Sequence, residues 1–141
     1  MNILYESGPW GLLIFIMLTL VLGGAAALAS GRALASTWRP ASHCILYAAP
    51  IAATIAFLHF ALFQESVIPL YELGAAIAGL AQDPATAIRQ LTLGLRGFFA
   101  FFAIHSALAL TGYRLTRARQ MTRQYSFAYL PSGLFSWRGK S

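Results

Sequence analysis

From Trp10 to Ala29 the chain runs for 20 residues without a charged side chain, bounded by Glu6 before and Arg32 after. A helix of that length covers about 30 Å, the thickness of a bilayer's hydrocarbon core. Ile45 to Phe63 is a second such run, ending at Gln64-Glu65. Gly97 to Tyr113 is a third, opened by Phe98, Phe99, Phe101 and Phe102 and closed by Arg114. The third is short alone, so the span takes in Leu91 to Leu95 while Arg96 snorkels to the headgroups. Charged residues make up only 10% of the 141 residues, against about 25% in an ordinary soluble domain. A soluble protein so poor in charge would expose large apolar patches. The fold class expected is an all-α integral membrane protein with three transmembrane helices.

Val67 to Ala81 competes as a fourth span, but it is short and interrupted by Pro69 and Glu72. Asp83-Pro84 fits an N-cap followed by proline at the first helical position, opening a helix that runs into the third span. Charge decides between three spans and four. Arg32 and Arg39 in the first loop share a side with Arg114, Arg117, Arg119, Arg123, Arg138 and Lys140 only if there are three. The other side then holds all four acids, Glu6, Glu65, Glu72 and Asp83, with Arg89 and Arg96. Basic residues favour the cytoplasm, so the N-terminus is expected outside and the C-terminus inside. The expected organisation is a membrane domain over 1–113 followed by a basic, aromatic cytoplasmic tail over 114–141. The spans fall at about 9–31, 43–63 and 94–113, with an outer, helical, interfacial excursion over 65–93. Ala27-Leu28-Ala29 resembles a signal-peptidase site, but the N-terminus lacks the basic residues of a secretory signal and its apolar run is of spanning length.

Gly23, Ala27 and Gly31 recur every four residues on the first span, and Ala48, Ala52 and Ala56 on the second. In lipid, stripes of small residues let helices approach closely, within one chain or against another subunit. Pro50 is expected to kink the second span or to sit in its first turns. Cys44 has no second cysteine to pair with and reads as a small apolar filler. With a net charge of +6, the basic residues flank apolar runs, so anionic headgroups or other membrane subunits are the expected partners and nucleic acid is not. Arg39, Arg114, Arg117, Arg119, Arg123 and Trp137 are the candidates for lipid or partner contact.

His59 and His105 lie inside spans, where ionisable side chains are functional candidates by default. As a pair they could ligate a haem axially. Against this, their expected depths differ by roughly 6 Å, and a neutral histidine can hydrogen-bond across a helix pair. Thr54, Ser106 and Thr111 offer only a thin polar path for a carrier. No phosphate-binding loop, nucleophile elbow, His-Glu-x-x-His or cysteine pair occurs. The expectation is a non-enzyme without a required cofactor.

Four stretches resemble an uncharacterised family of small bacterial inner-membrane proteins: Thr37-Trp38-Arg39-Pro40, His59-Phe60-Ala61-Leu62-Phe63, Gly112-Tyr113-Arg114-Leu115-Thr116-Arg117-Ala118-Arg119-Gln120-Met121 and Phe135-Ser136-Trp137-Arg138. The expected departure from the family pattern is residues 65–96. The resemblance implies a multi-pass protein of the inner (cytoplasmic) membrane, encoded beside branched-chain amino-acid ABC transporters. It implies an accessory or assembly subunit, with Arg39, Arg114, Arg117 and Arg119 on the cytoplasmic face where transporter subunits meet. A haem-b-binding membrane anchor using His59 and His105 is the alternative.

Overall fold

The structure is a computed structural model describing residues 10–63, 77–79 and 83–140. Three long helices dominate it: α1 (Gly11–Ser36), α2 (Ser42–Phe63) and α3 (Pro84–Gln124). A small antiparallel hairpin follows, β1 (Tyr129–Pro131) with β2 (Trp137–Gly139). Three helical stretches are long and apolar enough to cross a membrane, Gly11–Ser36, Ser42–His59 and Leu95–Gln124. Most of the expected 65–93 excursion lies outside the described residues; within it a helical turn spans 77–79 and α3 begins at Pro84.

Two helices extend beyond the expected spans. The first helix continues past residue 31 to Ser36, and the third passes Tyr113 and runs on to Gln124. Arginine, alanine and leucine are good helix formers, so the first arginine after an apolar run does not end the helix. The start of α3 follows the sequence: the Thr86 N–H donates to Asp83 Oδ1 at 3.4 Å, and the Ala87 N–H donates to the Asp83 carbonyl at 3.1 Å. Hydrogen bonding to Thr86 holds the exposed Asp83 carboxyl below its ordinary range.

Within α1, Ile16–Gly23 is π-helical. Such widened turns are rare, usually brief, and frequent at functional sites. Pro50 lies inside α2, where it removes the N–H that would bond back to the Leu46 carbonyl.

The chain divides into two compact units, each drawing on all three helices. The first comprises Met1–Gly23 and Ala52–Ala103, and its buried side chains include Phe15, Thr19, Ala52, Ile55, His59, Ala87 and Phe101. The second comprises Gly24–Ile51 and Ile104–Ser141. Its core is Ala27, Leu34, Ala35, Cys44, Ala109 and Tyr113. There α1 and α3 meet backbone to backbone. A Cβ on Gly31 would collide with the Ala109 carbonyl and come within 2.9 Å of the Tyr113 nitrogen. One on Gly112 would come within 2.5 Å of the Leu28 carbonyl oxygen. Only glycine permits this approach.

Candidate functional sites

Among the described residues of the first unit, a buried polar cluster forms around His59. Thr19, in the middle of the π-helical stretch, is fully buried, as is His59 on α2. Thr19 Oγ1 and His59 Nε2 share a hydrogen bond of 3.0 Å, its direction set by the imidazole tautomer. The His59 ring stacks on Phe101 of α3, with centroids 5.4 Å apart and planes 21° apart. Phe15, one turn before Thr19, lies with its ring centroid 6.2 Å from that of Phe101. A buried histidine needs a polar partner and a shaped apolar wall; the threonine supplies one and the phenylalanines the other.

His105 is fully buried in the second unit. Neighbouring Ser106 Oγ is buried and has no hydrogen-bond partner among the described residues. Also among the described residues, no three His, Cys, Asp or Glu side chains converge as a metal site would require.

Of the small-residue stripes, Gly23, Ala27, Gly31, Ala48 and Ala52 are buried and Ala56 is half-buried. Gly112, which seats α3 against Leu28, was not among the stripes read from the sequence.

The second unit carries the arginines. Helix α1 closes in a Schellman arrangement: the Trp38 N–H donates to the Ala35 carbonyl at 3.1 Å and the Arg39 N–H to the Leu34 carbonyl at 3.0 Å. The left-handed position of this motif, usually glycine, is here Trp38 with φ of 60°. A bulky residue in that region costs on the order of 1–2 kcal/mol, and the placement aims the indole at α3. The Arg117 guanidinium lies 3.9 Å from the Trp38 ring centroid, 5.7 Å from that of Tyr113, and donates to the Ala35 carbonyl at 3.4 Å. The Tyr113 hydroxyl donates to the Arg39 carbonyl at 2.8 Å. Tyr125 meets the Trp38 ring edge-on at 6.1 Å. Arg117 therefore works as a latch between the end of α1 and the extension of α3, while the side chains of Arg39, Arg114, Arg119 and Arg123 are exposed.

The segment after α3 is folded. Tyr129 pairs with Gly139, Leu130 with Arg138 and Pro131 with Trp137. The turn between them holds Gly133 at φ of 94° and a hydrogen bond from the Ser136 hydroxyl to the Ser132 carbonyl. Trp137 is half-buried on β2, whereas Phe127 and Leu134 are exposed.

These features define a class: a predominantly helical chain with three helices of membrane-spanning length and a basic, arginine-latched end. The chain belongs to the DUF6867 family, a domain of unknown function, whose model matches residues 11–81 and 85–140. The expected departure over 65–96 lies within that match except for residues 82–84. No curated protein and no solved structure matches the chain.

Proposed function

We propose that the chain is a non-enzymatic accessory or assembly subunit of a bacterial inner-membrane complex, with its N-terminus outside and its arginine-rich end in the cytoplasm. One observation carries this proposal: in each of the three apolar helices only 28% of the best spanning window is buried within the chain. Leu12, Met17, Leu20 and Val21 on α1, Leu46 and Phe57 on α2 and Phe99 on α3 all face outward. Such surface suits lipid and the flanks of other membrane subunits alike. The segregation of charge supports the orientation, because all four acidic side chains fall in the first unit and eight of ten basic ones in the second.

The resemblance to small proteins encoded beside branched-chain amino-acid ABC transporters makes such an importer the complex to test. Deleting the gene is expected to lower branched-chain amino-acid uptake, and expression of the intact chain to restore it. Unchanged uptake in the deletion strain would remove the importer from the proposal.

The alternative, a haem anchor using His59 and His105, requires an imidazole nitrogen free to bind iron. His59 Nε2 is held by Thr19 and its ring is covered by Phe101, an arrangement that favours structural hydrogen bonding.

A further inference from the structure

We infer that a cleft between the end of α1 and the extension of α3 is a binding site for a phosphate group. The cleft has a volume of about 540 Å³ and is lined by Arg32 and Ser36 of α1 and by Thr116, Arg119, Gln120 and Arg123 of α3. Ligand sites commonly have volumes of about 300–1,000 Å³.

Three features converge on an anion. Arg119 and Arg123 are four residues apart, so they rise from one face of α3 and repel each other. Arg32 adds a third guanidinium from the facing helix. The second unit, which holds the whole cleft, has eight arginine and lysine side chains and no aspartate or glutamate. The nearby helix C-termini offset part of this repulsion, but the unit has no aspartate or glutamate side chain to neutralise the cluster. Arg117, by contrast, is already spent on Trp38 and the Ala35 carbonyl.

The neutral groups fit the same ligand. Thr116 brings a hydroxyl to the cleft wall, whereas the Ser36 hydroxyl already donates to the Ala33 carbonyl at 2.8 Å. Gln120 Oε1 is buried with no hydrogen-bond partner among the described residues. Turning the amide exchanges its oxygen with the NH₂ group. Gln120 can therefore donate to a phosphate oxygen or accept from a hydroxyl on the group that carries the phosphate. Guanidinium forks bind phosphate oxygens in pairs, which a lone ammonium cannot do. The shared chemistry is a phosphate ester, whether it arrives as a lipid headgroup or as a soluble compound.

The test uses the purified full chain, with inorganic pyrophosphate as the soluble probe. The lipid probe is nanodiscs of phosphatidylcholine with or without phosphatidylglycerol, scored for retained lipid by native mass spectrometry. Arg119→Gln with Arg123→Gln removes two charges from the cleft, and Arg138→Gln with Lys140→Gln removes two from the hairpin. All four side chains are exposed, so both double variants keep the fold. Binding is expected to fall by about tenfold or more in the cleft variant and by less than about twofold in the hairpin variant. Arg119→Lys with Arg123→Lys is expected to restore it only in part, because the forks are lost. Saturable pyrophosphate binding assigns the site to soluble phosphate compounds, and retention of phosphatidylglycerol alone assigns it to headgroups. Equal loss in the two glutamine variants would mean diffuse charge attraction and overturn the site, as would the absence of binding to both probes.

Discussion

The two units of this chain handle polar side chains in opposite ways. In the first, the buried Thr19 and His59 share a hydrogen bond, and the His59 ring stacks on Phe101. In the second, cations outnumber anions eight to none, and only Arg117 is fully engaged, through Trp38 and the Ala35 carbonyl. A buried hydrogen bond between two helices fixes their register. An arginine surface without acidic neighbours is the part of the chain on which the proposed partner contacts rest.

The largest effect expected from breaking this arrangement is at the glycine contact that holds the second unit together. Gly31→Leu forces a side chain into the Ala109 carbonyl and should cost about 3 kcal/mol or more, the upper end of overpacking penalties. Thermal unfolding in detergent would show it, with Gly139→Ala as the silent control because nothing lies within 4 Å of the added methyl.

Next in size is the buried pair of the first unit. Thr19→Val keeps the shape but removes the partner of His59 Nε2. It should cost about 0.6–1.7 kcal/mol, the span measured for hydrogen bonds between membrane helices. If Thr19→Val and His59→Phe proved additive in a double-mutant cycle, the pair would not be coupled and the description of the first unit would fail.

The latch should give a smaller, two-sided result. Trp38→Asn relieves about 1–2 kcal/mol of left-handed strain and loses about 0.5–1 kcal/mol of stacking on Arg117. Net stability should therefore change by less than about 1.5 kcal/mol, while the Arg117 side chain gains mobility, measurable by NMR of its Nε–H. A large destabilisation would mean that the indole carries more of the contact than stacking on one guanidinium.

The smallest effect is at the start of α3. Hydrogen bonding to Thr86 lowers the Asp83 carboxyl, so its capping is present above the ordinary carboxylate range and is lost as pH falls through the depressed value. After correction for intrinsic exchange, the Thr86 amide should exchange faster at about pH 2–3 than at pH 5–7, with the middle of α3 unaffected.

How much of this could be read in advance follows from the range over which each feature is encoded. The apolar runs and the Asp83-Pro84 start are local, and the chain states them in order. So is the Ala27 to Gly31 spacing, although its partner Gly112 needed knowledge of which helices meet. Thr19 was passed over because a lone threonine in an apolar run has no periodic signature, and its burial depends on a π-helical turn and on a histidine 40 residues away. The arginines after Tyr113 suggest the end of the third span, but helix propensity carries the backbone on to Gln124. Trp38 at a glycine position breaks the usual capping preference. Pro131-Ser132-Gly133 between aromatic flanks carries a hairpin signal, but it is short and lies in a segment whose basic and aromatic residues read first as a contact tail.

The proposal of an accessory subunit is tested most directly by purifying the full chain from its native membrane in gentle detergent. The eluate would be analysed by absorption spectrum and by quantitative mass spectrometry of co-eluting proteins. The account predicts a colourless sample carrying permease subunits in fixed stoichiometry, held through Arg39, Arg114 and Arg119 and released by their substitution. A Soret band that disappears in His59→Ala or His105→Ala, or a colourless protein eluting alone, would contradict it.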